Sequence, residues 1–190
     1  MTKNERALQI NSANALKGFW NQPINYSEKL VLACGELHEA VEAHRHGKYA
    51  GDQITINMQT PDSEFKTLYE REVKGTIDEE LADAAIRLFD FKGRLRIPIS
   101  EKYLLPNGLE VDDTYFNFAD YVGDIMSYIL EARGFFGQVN ADNDRGGRQL
   151  NTALAMIESL CKKLEIDLYF HMDLKVKYNS YREYLHGKKY

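Results

Sequence analysis

The sequence predicts an all-α fold, a helical bundle. Apolar residues recur with helical spacing in six stretches, and capping residues, glycine or proline bracket most of them. Only one short segment, Ile54–Met58, alternates with the period of a strand.

The first helix is expected over about Asn4–Trp20, ending before Gln22-Pro23. A second runs from an N-cap at Ser27 to about His46, stopped by Gly47, with Leu30, Cys34, Leu37 and Val41 as its core stripe. Residues 48–75 are less regular; there Ile54, Ile56 and Met58 alternate with Gln53, Thr55 and Asn57, the pattern of a short β element. A third helix covers about Thr76–Lys92 and buries Ile77, Leu81, Ala84, Ala85 and Leu88. Pro98, Pro106 and Asn107-Gly108 mark a loop with a small hairpin. Two further helices follow, over about Asp113–Phe135 and Arg145–Leu164, and a last one over about Asp167–Tyr184 precedes the tail HGKKY.

With 190 residues, 44% of them hydrophobic, the chain can bury a real core as one domain, 1–190. No apolar run approaches the roughly 20 residues that span a bilayer, and the N-terminus is polar from the start, so neither a membrane anchor nor a secretory signal is expected. A net charge of −5 without a long basic block argues against nucleic acid as the partner. Cys34 and Cys161 sit within apolar helical patterns, as buried thiols of a reducing, cytoplasmic setting.

The chemistry lies in two pairs of carboxylates. Glu36 and Glu39 are three apart on the second helix, and Glu80 and Asp83 three apart on the third. At about 100° per residue, each pair shares a helix face. Such pairs also occur on solvated helices, but here Leu32 and Ala43 flank the first and Ile86 borders the second, so both acidic faces are expected to be partly buried. Four carboxylates brought together there repel unless a cation sits among them. All-oxygen ligands favour magnesium, with manganese as a substitute, over zinc. Glu79 is also within reach of Asp83, at i+4.

The segments KLVLACGELHEAVEAHRHGK, EELADAAIRLFD and LEIDLYFHMDLKVKYNSYREYLHGKKY together resemble the signature segments of the MazG-like all-α nucleotide pyrophosphohydrolases: E-x-x-E, then E-x-x-D, then K-x-x-x-N-x-x-R with a Gly-Lys tail. The resemblance implies a MazG-like bundle with Glu36, Glu39, Glu80 and Asp83 as magnesium ligands, Glu80 being preferred to Glu79 on this ground alone. It also implies that Glu36 or Glu39 acts as catalytic base. Lys175, Asn179 and Arg182 would contact substrate phosphates or sugar, helped by Lys188 or Lys189. Trp20, with Phe19, is a candidate platform for the base, the alternative being a core anchor.

Two departures stand out. Residues 48–75 lengthen the stretch between the acidic motifs, and an insertion over about 93–159, containing a helical hairpin, separates the E-x-x-D helix from the K-x-x-x-N-x-x-R helix. The hairpin could cap the site, replace a subunit interface or bind something else.

The activity the resemblance implies is magnesium-dependent hydrolysis of a nucleoside triphosphate to monophosphate and pyrophosphate, in a homo-oligomer, dimer or tetramer. The rival readings are a non-catalytic helical module binding a nucleotide or protein, and the same metal site acting on another phosphoanhydride.

Overall fold

A computed structural model of the chain describes residues 1–23, 25–51, 54–101, 105, 116–137 and 142–187. It is all-helical, with α1 at Lys3–Leu16, α2 at Tyr26–Arg45, α3 at Asp62–Glu72 and α4 at Ile77–Leu95. Then come α5 at Phe118–Arg133, α6 at Asn143–Lys163, α7 at Leu168–Ser180 and a 3-10 turn at Tyr184–Gly187. No helix among the described residues is long and apolar enough to cross a membrane.

The helix starts are written in capping side chains. Thr2 and Glu5 form a reciprocal capping box on α1. Asn25, rather than Ser27, caps α2 by accepting from Glu28 N at 3.0 Å, because it stands one residue before the first helical position. Thr76 caps α4, and Asp167 caps α7. The first helix stops at Leu16, short of Trp20, and residues 17–20 form turns. Likewise α7 stops at Ser180, and the expected continuation to Tyr184 gives way to turn and 3-10 geometry. The small hairpin expected around Pro106 and Asn107-Gly108, and the Asp113 helix start, lie outside the described residues.

Helix α4 is the axis of the molecule. It packs against α1, α2, α6 and α7, and 15 of its 19 residues are buried, the exceptions being Asp83, Arg87, Arg94 and Leu95. Gly93 permits the close crossing of α1, since a Cβ there would lie 2.4 Å from Ala7 O. The hairpin α5–α6 lies across α2 and α4 and adds Ile125, Ile129, Leu150, Leu154 and Ile157 to the main core. Both cysteines are buried free thiols. Burial pushes the Cys34 thiol up to about 11, which leaves it unreactive.

The expected strand at Ile54–Met58 does not form; no strand occurs among the described residues. The backbone N–H groups of Thr55 and Ile56 donate instead to the Glu72 carboxylate, at 2.7 and 3.1 Å. These bonds tie the segment to the end of α3 and leave no ladder to build. Helix α3 itself, within the stretch read as irregular, buries Phe65 and Tyr69. With Val73 and Ile56 these form a second small core against Leu174 and Tyr178 of α7.

Burial on every side of α4 has one costly consequence. Lys92 is fully buried, its ammonium finding Gly147 O at 3.1 Å as its acceptor among the described residues, and desolvation depresses its pKa to about 7. The folded state therefore resists the charged form, while the unfolded chain carries it up to 10.5. The penalty is complete below about pH 7 and vanishes as pH rises toward 10.5. Lys92→Met is expected to stabilise the protein by roughly 2 kcal/mol near pH 6, after allowing for the lost hydrogen bond, and by much less at pH 10. Denaturant unfolding of both proteins at the two pH values measures this; an equal or negative difference at pH 6 contradicts it.

Candidate functional site

One face of α4 opens onto a cavity of about 880 Å³, in the size range of small-molecule sites. Its lining is ordered along the helix. Gly75 stands just before the α4 N-terminus; Glu79, Glu80 and Asp83 follow; then come Ile86, Arg87, Asp90 and Phe91. From Glu79 to Phe91 the helix rises about 18 Å. Helix α2 contributes Leu32, Glu36 and Glu39, α7 contributes Lys175 and Asn179, and Arg182 and His186 follow from the segment beyond α7.

At the middle of this path three carboxylates converge. One oxygen each from Glu36, Glu80 and Asp83 lie within 4.8 Å of one another. A six-coordinate magnesium ion, with ligands at about 2.0–2.1 Å, sets neighbouring oxygens about 3 Å and opposite ones about 4 Å apart, so the trio could hold a divalent cation if its oxygens drew together. Glu36 is held by Arg87, whose Nε donates to Oε1 at 2.6 Å. Glu39 is exposed and lines the cavity outside the trio.

Glu79 and Glu80 have separate roles. Glu79 is buried and accepts from Tyr69 Oη at 2.9 Å, Gly75 N at 2.5 Å and Lys175 Nζ at 2.5 Å. It is the brace of the site. The Glu80 carboxylate takes part in no hydrogen bond or ion pair among the described residues, although the residue is buried. Burial, then the charges of Asp83, Glu79, Glu36 and Glu39, push it up to about 9. Burial also raises Asp83, to about 6, against the pull of the Lys175 ammonium 2.5 Å from its Oδ2. A carboxylate raised so far without a partner fits a position made for a cation.

Lys175 is therefore buried among carboxylates rather than presented on an open cationic face, and its ion pairs hold its pKa above the ordinary range despite burial. Asn179 and Arg182 follow it into the cavity. Arg182 donates to Asn179 Oδ1 at 3.4 Å and to His186 O at 3.3 Å. The chain beyond α7 is fastened to the first turn of the fold: Leu185 N donates to Lys17 O, and Asn21 Nδ2 to Tyr184 Oη, both at 2.9 Å. Lys188 and Lys189 lie outside the described residues.

Trp20 lines the cavity but is 7% exposed, with its indole N–H donated to Asp90 Oδ1 at 2.9 Å and Lys29 and Arg94 over its ring. The core-anchor description fits it. Phe19, half-buried, shares the wall with Leu32, Ile86 and Phe91. Asp90 also accepts from Asn11 and Asn14, at 2.7 and 2.8 Å, so its buried carboxylate is satisfied by three neutral donors.

None of the lining residues comes from 93–159, so the described part of the hairpin stands away from the cavity. Residues that pattern reading missed are Tyr69, which braces Glu79, and Lys74 with Gly75, which line the cavity before α4. The signal for α3 was present as Phe65, Tyr69 and Val73 at four-residue spacing between Pro61 and Gly75. Set beside known protein families, curated proteins and solved structures, the chain matches none of them.

With Glu80 near 9, its carboxyl is protonated at pH 7 in the metal-free protein, and a cation must displace that proton. Titration of Mn²⁺ at about pH 7, in buffers of different ionisation enthalpy, is expected to release protons, and the apparent affinity to climb up to about pH 9. Glu80→Gln removes both effects and weakens binding. Binding whose affinity stays flat over that interval contradicts the assignment.

Proposed function

We propose that this chain hydrolyses a nucleoside triphosphate between its α and β phosphates, giving the monophosphate and pyrophosphate, as its resemblance to the MazG-like enzymes implies. The observation that carries the reading is the order along α4: an apolar and aromatic wall, then three convergent carboxylates, on a single cavity that also receives Asn179 and Arg182. That order matches a ligand with a base at one end and a chain of phosphates at the other.

Glu36, Glu80 and Asp83 are the residues that would hold magnesium, or manganese in its place, with Glu39 beside them. A cation there supplies Lewis acidity to the triphosphate and to the attacking water. Glu39, exposed to the cavity and outside the trio, accepts the proton as the water oxygen bonds to the α phosphorus. The bond from that phosphorus to the bridging oxygen breaks, and pyrophosphate leaves. Arg182 and Asn179 hold the phosphates and offset the charge gathering on the leaving group. Lys175 acts as a positioning residue, fixing Asp83 against Glu79. The wall of Phe19, Leu32, Ile86 and Phe91 shelters the base. Two buried free thiols agree with a cytoplasmic setting.

The test is an assay of each common ribo- and deoxynucleoside triphosphate, with and without magnesium, products being separated by chromatography. Monophosphate plus pyrophosphate is expected, dependent on metal, and reduced at least about 100-fold by Glu80→Gln or Glu39→Gln. Diphosphate plus orthophosphate would mean that another bond is cut. No turnover by folded protein with magnesium present would favour the binding-module reading.

A further inference from the structure

Five cationic side chains, those of Lys29, Lys74, Arg87, Lys175 and Arg182, line the cavity, and four have partners. Arg87 is held by Glu36, and Lys175 by Glu79 and Asp83. Lys29 lies 3.8 Å from Glu28 and over the rings of Phe19 and Trp20. Arg182 donates to Asn179 and to the His186 carbonyl. Lys74 is exposed, and among the described residues its ammonium takes part in no hydrogen bond, ion pair or ring contact.

An unpaired lysine on a surface is ordinary. This one differs in how its backbone is anchored. Lys74 N donates to Tyr69 O at 3.0 Å, and Thr76 N donates to Val73 O at 3.2 Å. Val73 on one side is fully buried, and Gly75 on the other is held at φ +74° with its N–H on Glu79. The turn that carries Lys74 is thus bolted to the brace of the acidic centre. At the same place the helix terminus is already engaged, since Thr76 Oγ1 accepts from Glu79 N.

Position along α4 sets which part of a ligand it meets. The apolar wall lies at Ile86–Phe91, the carboxylates at Glu79–Asp83, and Lys74 on the far side of the carboxylates from the wall. We propose that Lys74 binds the leaving pyrophosphate end of the substrate, as a point charge beyond the carboxylates. The assignment rests on reading the cavity as a nucleotide site. It also accounts for the lengthened stretch before α4, where α3 braces Glu79 through Tyr69 and delivers Lys74.

Calorimetric titration of inorganic pyrophosphate, in the presence of magnesium, into the full chain tests this without turnover. Lys74→Met is expected to weaken pyrophosphate binding at least about tenfold, and Lys74→Arg to stay within about threefold of the unaltered protein. The affinity for Mn²⁺ alone should be the same in all three. Pyrophosphate binding unchanged in Lys74→Met overturns the proposal, as does an unaltered protein that binds no pyrophosphate. So does a parallel loss of Mn²⁺ affinity, which would place the effect in the carboxylates. If pyrophosphate binding responds as expected while no triphosphate is cleaved, the reaction assigned above fails and the Lys74 site stands.

Discussion

The ammonium of Lys175, 2.5 Å from both Glu79 and Asp83, is the tie on which the arrangement of this protein depends. It joins α7 to α4, the helix at the centre of the core, 15 of whose 19 residues are buried. Without it, two carboxylates would sit beside Glu80 and Glu36 in a medium that screens charge poorly. Breaking a buried pair of this kind costs about 3–5 kcal/mol, because the remaining charge is left without a partner. The same contact fixes the register of α7, and so delivers Asn179 and Arg182 to the cavity one and two turns further on. Tyr69 donates to the same Glu79, so α3 is drawn to this point as well.

The acidic centre opposes stability at every step of its construction. Burial and mutual repulsion raise Glu80 and Asp83, and no packing argument requires carboxylates where leucine or methionine would fill the space. Elsewhere the protein satisfies its buried acids: Asp90 has three donors, and Glu79 has three. The Glu80 carboxylate has none among the described residues, which sets it apart from the carboxylates that hold the fold.

Much of this was legible in the residues. The stripes of α2, α4 and α6 gave the helices, and the spacing of Glu36 with Glu39 and of Glu80 with Asp83 gave two acidic faces with apolar borders. Spacing could not separate Glu79 from Glu80, because both reach Asp83; the difference is made by Tyr69 and Gly75 N, partners from outside the helix. The alternation at Ile54–Met58 misled because one side chain, Ile56, is buried, while the backbone hydrogen bonds go to Glu72 and not to a neighbouring strand. Trp20 was visible as a large aromatic near the site, but its role is set by Asp90, seventy positions away in the chain. Local periodicity carries no information about such partners.

The hairpin α5–α6 affects the site without touching it. Among the described residues it contributes nothing to the cavity lining. It covers the sides of α2 and α4 that face away from the cavity, and its Gly147 carbonyl receives the fully buried Lys92. By closing those sides it removes water from around α4 and lowers the dielectric in which Glu36, Glu80 and Asp83 meet. Water exclusion is the first cause that raises Glu80. The hairpin, remote from the cavity, thus finishes the core behind the helix that carries the three carboxylates.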